Sequence, residues 1–301
     1  MLNPINKLLM SIISIIPESL VYKIAKQYVA GINQSQAIQT VKSLNDQGYL
    51  ATLDILGEHT KNKEDAKLIT DEYVHIYKSI KELNLMCNIS VKPTHIGADI
   101  DEHTLNENLS RLLETAERFD NFLRIDMESS KYTDLTINII QKHSASSNSI
   151  GTVLQAYLHR TISDLSKIKS KKSNIRLCKG IYNEPEDIAI KRYEEINDNY
   201  IKILKEAFKS KIFVGIATHD INLLSRVYKL IEDNNISSDM FEFQVLYGVP
   251  MSGWLKKHKE NGYSVRVYVP FGDDWYKYSI RRLKENPNIV GYILKNLIKK
   301  K

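Results

Sequence analysis

Arg281 and Arg282 stand side by side in the run Trp275-Tyr276-Lys277-Tyr278-Ser279-Ile280-Arg281-Arg282-Leu283-Lys284-Glu285, near the end of a 301-residue chain. On a helix, Tyr278 faces both at three and four residues' distance, and Glu285 lies below them. Two adjacent guanidiniums repel each other unless an anion lies between them. Their planar forks suit a carboxylate or phosphate gripped from two directions. An aromatic beside the pair puts an apolar body next to that anion, so the pattern asks for a small amphiphilic acid. The plain alternative is a solvated pair with Glu285 as an intrahelical partner, because most surface ion pairs carry no function. Lys92 follows Ser90-Val91 and precedes Pro93. It is either a surface lysine lying along its own stem or a third cation around the same carboxylate. Asp126, in Leu123-Arg124-Ile125-Asp126-Met127-Glu128, needs a partner if buried, with Lys92 and Arg176 as the candidates. Arg176 precedes Lys179-Gly180-Ile181-Tyr182, where Gly180 lets a flat ring or a phosphate approach the backbone.

The elements that must position these residues can be read from periodicity. Apolar strand-like runs fall near 50–56, 87–92, 121–127, 151–157, 174–179, 212–217, 241–246 and 264–269. Between them, Lys63 to Leu85, Leu105 to Phe119 and Ile188 to Phe208 carry apolar residues at three- and four-residue spacing, the mark of amphipathic helices. Gln141 to Ser149 is polar and reads as loop. Pro270 and Gly272 are expected to break the last strand, Asp273 to cap the following helix, and Asn286-Pro287 to end it. The repeated β-then-α order predicts an α/β fold, a (β/α)8 TIM-type barrel over residues 46–301. Residues 1–45 are expected to form a helical extension before it, and a C-terminal helix is expected to lie over the barrel mouth. Such barrels keep their chemistry at the C-terminal ends of strands. The polar residues predicted there are Glu58, Lys92, Asp126, Glu128, Gln155, Arg176, Lys179, Thr218, His219, Gln244 and Tyr268.

Composition narrows the function classes. Hydrophobic residues make up 43% and charged residues 26%, enough for a large core and too mixed for disorder. The net charge of +6 is spread along the chain. The dense clusters, Lys256-Lys257-Lys259 and Lys299-Lys300-Lys301, read as solvated faces, with attraction to an anionic membrane surface as the alternative. No basic stripe interleaved with aromatics suggests nucleic acid as a partner. Cys87 and Cys178 read as small buried hydrophobes in a reducing compartment. The apolar run Leu8 to Ile16 is too short to span a bilayer and is followed by no cleavage pattern, so it reads as a packed helix or a shallow membrane contact. None of the eight histidines forms H-x-H or H-E-x-x-H, which weakens a metal-hydrolase reading. No GxGxxG follows a strand, which weakens a nicotinamide-dinucleotide one.

Five motifs in register carry a resemblance. They are Thr52-Leu53-Asp54-Ile55-Leu56-Gly57-Glu58, Arg176-Leu177-Cys178-Lys179-Gly180-Ile181-Tyr182, Ala217-Thr218-His219, Glu242-Phe243-Gln244-Val245-Leu246-Tyr247-Gly248, and Tyr268-Val269-Pro270-Phe271-Gly272 with its RRLKEN continuation. Together the chain resembles the proline dehydrogenases from about residue 30 to its end. The resemblance implies an FAD-dependent oxidation of L-proline to Δ1-pyrroline-5-carboxylate. It further implies reoxidation by a membrane quinone and a cytoplasmic protein in peripheral contact with the inner face of the membrane. It implies that Lys92, Arg281 and Arg282 hold the substrate carboxylate, that Tyr268, Tyr278 and Leu246 wall the ring, and that Asp126 and Arg176 organise the reaction. Arg176 would lie against the flavin, where a fixed positive charge stabilises the reduced ring. Met127, Gln155, Lys179, Gly180, Ile181, Thr218 and His219 would be the other cofactor contacts. Glu58 matches a glutamate that pairs with a substrate-side arginine. The chain departs from the family at Ile181 and Asn183, where KGAYW is usual, and at Asp220, where ATHN is usual. These changes bear on the rim of the site. A barrel without turnover that only binds proline is the rival from another class.

Overall fold

In the computed structural model, residues 26–144, 147–169 and 173–285 are described, with side chains as far as Ile280. Eight parallel strands close on themselves in sequence order: β1 Leu50–Ile55, β2 Cys87–Val91, β3 Leu123–Ile125, β4 Ile150–Gln155, β5 Asn174–Cys178, β6 Phe213–Ala217, β7 Phe241–Leu246 and β8 Val265–Phe271. The closing seam joins β1 to β8 from Leu50 opposite Arg266 to Ile55 opposite Phe271. Nine helices are described around it: α1 Gln34–Asp46, α2 Lys63–Glu82, α3 Glu102–Arg118, α4 Thr133–His143, α5 Thr161–Lys167, α6 Tyr193–Lys209, α7 Ile221–Asp233, α8 Trp254–Glu260 and α9 Trp275–Glu285. The predicted (β/α)8 barrel is therefore present.

Local chemistry explains the helix boundaries. Asp101 Oδ1 accepts the Thr104 amide at 2.7 Å and starts α3 three residues before the apolar periodicity does. Leu105, Leu109, Leu112, Leu113 and Ala116 then bury one stripe of α3 against the barrel. The segment Ile188–Arg192, expected to be helical, lies outside α6: Ala189 instead bridges Leu158. Pro270 does not break β8, which runs on to Phe271. Its neighbour β7 has already ended at Leu246, opposite Tyr268, so no carbonyl on that side needs the missing N–H. Asp274 rather than Asp273 holds the N-cap position of α9, its carbonyl accepting from the Tyr278 amide at 3.3 Å.

Of the predicted helical extension, α1 is described and packs on β1 and β8. The apolar run Leu8–Ile16 and the lysines at 299–301 lie outside the described residues. The other basic cluster has local partners: Lys257 Nζ sits 4.3 Å from the Trp254 ring centre, and Lys259 Nζ donates to Gln47 O at 2.7 Å. Among the described residues no helix is long and apolar enough to cross a membrane. Inside the barrel the packing includes buried charge. Arg124 is 2% exposed and donates from Nη1 to Thr152 O and Asn174 O at 2.9 and 2.8 Å.

Candidate active site

A cavity of about 690 Å³ opens at the C-terminal ends of the strands. Around it stand Lys92, Asp126 and Met127 after β2 and β3, Gln155 closing β4, and Arg176 on β5. Lys179, Gly180 and Ile181 follow β5, Thr218 and His219 follow β6, and Leu246 and Tyr268 come from β7 and β8. Tyr278 reaches in from α9 and is buried. Thirteen of the fifteen residues expected at the site therefore share one volume. The side chains of Arg281 and Arg282 lie outside the described residues, although their backbone belongs to α9. Two residues expected on the ring are not cavity walls. Glu128 is buried and accepts from the Thr94 amide and hydroxyl at 3.0 and 2.6 Å. Glu58 is exposed on the loop after β1.

The charges are arranged in pairs. Arg176 Nη1 donates to Asp126 Oδ1 at 2.8 Å, and Ser90 Oγ donates to the same oxygen at 2.8 Å. The Tyr268 hydroxyl donates to Asp126 Oδ2 at 3.2 Å, while its ring lies 5.0 Å from Arg176 Cζ. The hydrogen-bonded partner of Lys92 is a carboxylate that sequence reasoning assigned no role. Lys92 Nζ donates to Asp54 Oδ2 and Oδ1 at 3.0 and 3.3 Å, and Asp54 is 1% exposed. Burial pulls the Lys92 ammonium down, but the Asp54 and Asp126 carboxylates more than offset this and hold its pKa above the ordinary lysine value. The available signal was one carboxylate in the apolar strand Leu50-Ala51-Thr52-Leu53-Asp54-Ile55, which demands a buried partner.

A second cluster lines the rim. Lys179 Nζ donates to Asp220 Oδ2 at 2.6 Å and lies 3.9 Å from the Tyr193 ring centre. Tyr193 Oη and Asn197 Nδ2 donate to the same oxygen at 2.5 and 3.1 Å. Asp220 Oδ1 caps α7, accepting from the amides of Asn222 and Leu223 at 3.0 and 3.2 Å. The aspartate at 220 therefore gives Lys179 an anionic partner. His219 Nε2 accepts from the Leu246 amide at 3.0 Å, so the ring proton sits on Nδ1.

Two buried features shape the cavity wall, and the first of them asks for a ligand. Gln155 is 3% exposed, and its Oε1 has no hydrogen-bond partner among the described residues, although its Nε2 donates to Met127 O at 3.4 Å. Such an acceptor is costly to bury unless a ligand donates to it. Gly180 has φ +112°, and a Cβ there would lie 2.1 Å from the Tyr157 ring, so only glycine keeps this wall. Cys87 is buried and Cys178 half-buried at the cavity, and burial pushes both thiols up to about 12, which leaves them unreactive.

A closed parallel barrel whose strand ends converge on ion-paired lysine, arginine and aspartate beside a tyrosine wall is an enzyme barrel. The family described as Proline dehydrogenase matches residues 37–293. Proline dehydrogenase 2 of Bacillus subtilis (strain 168) is 36% identical over 276 residues, covering 92% of this chain and 91% of that one. The Proline dehydrogenase of Deinococcus radiodurans is 30% identical over 285 residues, with 92% and 91% covered. The chain belongs to the proline dehydrogenase family. Its fold is also similar to proline utilization A (PutA) from Bdellovibrio bacteriovorus, with a TM-score of 0.80 at 24% identity. That alignment takes in 88% of this chain and 33% of the PutA chain, so this chain spans about a third of the larger protein.

Proposed function

We propose that this chain oxidises L-proline to Δ1-pyrroline-5-carboxylate, with FAD as redox cofactor and a membrane quinone as final electron acceptor. The observation that carries this reading is the meeting of two cation–carboxylate pairs, Lys92–Asp54 and Arg176–Asp126, with Tyr268 and Tyr278 around one cavity. Family membership supports proline as the substrate. The barrel is taken as residues 46–301 behind a helical extension at 1–45.

Lys92, joined by Arg281 and Arg282 from α9, clamps the substrate carboxylate. Tyr268, Tyr278 and Leu246 close on the pyrrolidine ring and exclude water. The same cations disfavour the neighbouring ring ammonium, so its proton leaves more readily than in water. Only the amine has the lone pair that becomes the C=N bond. Activity therefore rises with pH through the apparent pKa of bound proline. Asp126, shared by Arg176, Ser90 and Tyr268, fixes the wall that these groups form.

The residues fit FAD: Gln155 offers its buried Oε1 to a donor, Gly180 lets the Tyr157 ring pack into the wall where a Cβ would stand, and Met127, Lys179, Ile181, Thr218 and His219 complete the surround. When bound, the flavin supplies the two-electron acceptor for the C5 hydride. Arg176 provides the fixed positive charge that favours the reduced form. Quinone use implies a cytoplasmic protein that touches the inner face of the membrane, with no spanning segment required.

The test is a spectrum. Purified protein is expected to be yellow, to release FAD on denaturation, and to bleach anaerobically when L-proline is added. A colourless protein that takes up no FAD would overturn the cofactor. Bound flavin left oxidised by proline would make the chain a binding protein.

A further inference from the structure

Glu242 and Gln244 lie on β7 within a motif whose polar members have no part in the chemistry above. Both are buried, and their contacts run in one direction across the barrel. Arg266 Nε and Nη2 donate to Glu242 Oε1 and Oε2 at 2.6 and 3.1 Å. Gln244 Nε2 donates to Glu242 Oε1 at 2.6 Å, and Gln244 Oε1 accepts from Arg176 Nε at 2.6 Å. Burial pushes Glu242 up, but the Arg266 charge and the bonds from Arg266 and Gln244 more than offset it and hold the carboxyl below its ordinary range. An ionised carboxylate can only accept, so the amide nitrogen of Gln244 must face Glu242 and its oxygen must face Arg176.

Arg176 is then held on three sides. Nε meets Gln244, Nη1 meets Asp126, and the planar face lies on the Tyr268 ring. With one proton of Nη1 and that of Nε engaged, Nη2 is the guanidinium nitrogen with both its protons available to whatever occupies the cavity, as far as the described residues go. Gly215 on β6 pairs with Arg176 on one side and Glu242 on the other. A Cβ at Gly215 would lie 2.3 Å from Gln244 Nε2 and 2.7 Å from its Cδ. Glycine weakens a strand interior. Here the missing Cβ is the space in which the amide sits.

We propose that Glu242 and Gln244, the latter seated in the space left by Gly215, are positioning residues that fix the roll of Arg176 and thereby set the reduction potential of the bound flavin. The second half of this rests on the FAD reading above. Gln244→Leu removes the amide at similar volume. Gly215→Ala pushes the amide aside while keeping every charge, because the clashing atoms are the far end of a flexible side chain.

In cofactor-free protein, a urea-unfolding cycle of Gln244→Leu, Arg176→Met and the double variant should be non-additive, with Gln244→Leu costing less once Arg176 is Met and only its bond to Glu242 is left to lose. In FAD-loaded protein, Gln244→Leu and Gly215→Ala should each weaken the preference for reduced flavin about tenfold, a fall of about 30 mV for a two-electron couple. The Gly215→Ala/Gln244→Leu double variant should show the same fall and no more. The KM for proline should move less than twofold. An additive cycle, or a wild-type potential in both single variants, would overturn the proposal. A chain that binds no FAD removes the proposed cofactor and the potential, while the cycle still decides the positioning.

Discussion

The Lys92–Asp54 pair shows what a buried ion pair asks of each partner. Removing Lys92 leaves a carboxylate with 1% exposure and no cation, so Lys92→Met should cost about 3–5 kcal/mol at pH 7. The folded pKa of Lys92 is raised, so its stabilising contribution is full below the ordinary lysine range near 10.4 and is lost as pH rises through the higher folded value. Urea unfolding of wild type and Lys92→Met should therefore differ by a constant amount up to about pH 10 and begin to draw together above it; profiles that stay parallel above that range would contradict the pairing. For the proposed clamp, Arg281→Met or Arg282→Met should raise KM for proline roughly ten- to a hundredfold with flavin still bound, since each charge-assisted contact is worth about 1.5–3 kcal/mol. Unchanged KM in both would remove them from the clamp. Tyr268 combines its contacts to Asp126 and Arg176 with the place proposed for it in the ring wall. Proline should accordingly be preferred over trans-4-hydroxyproline, and Tyr268→Ser should narrow the gap in kcat/KM, mainly by weakening proline. Equal handling of both substrates by the wild type would acquit Tyr268.

At the scale of elements, strand ends were legible because apolar runs bounded by polar residues repeat along the chain. Thirteen site residues fell where those ends converge. The pairing between ends was not legible: Asp126 could equally have met Lys92 or Arg176, and only the register of β1 beside β2 brings Asp54 to Lys92. Pro270 misled because a proline's cost depends on whether its neighbour strand continues, which is a property of β7 and not of β8. Asp220 is an element-level device as well as a rim residue, since it caps α7 and anchors Lys179 through different oxygens. Burial pushes its carboxyl up, but Lys179, Tyr193 and the Leu223 amide pull it down to about 2. Its stabilisation is therefore present above the unfolded carboxylate value and is lost as pH falls through about 2. Asp220→Asn should be less stable than wild type at pH 7 and equal to it near pH 2. A constant difference across that range, measured by thermal unfolding, would refute this account.

For the molecule as a whole, a ligand seated among residues from all eight strands or their following loops should stabilise the entire barrel. If FAD is that ligand, a concentration of 100 times its Kd should add about 2.7 kcal/mol and raise Tm by roughly 5 °C; calorimetry that shows no shift on adding FAD would count against it. The seam between β1 and β8 has a consequence for synthesis. Leu50 must wait for Arg266, its partner across the closing ladder. At about 5–20 residues per second the ribosome takes roughly ten to forty seconds to supply it. Throughout that interval the nascent β1 presents an unpaired edge, the feature that invites pairing with another chain. Asp54, on that same strand, can meet Lys92 early, whereas Asp126 gains Tyr268 only from the last strand made. The site is thus completed by the step that removes the open edge, and a polypeptide stalled before β8 would be both catalytically unfinished and a natural client for chaperones.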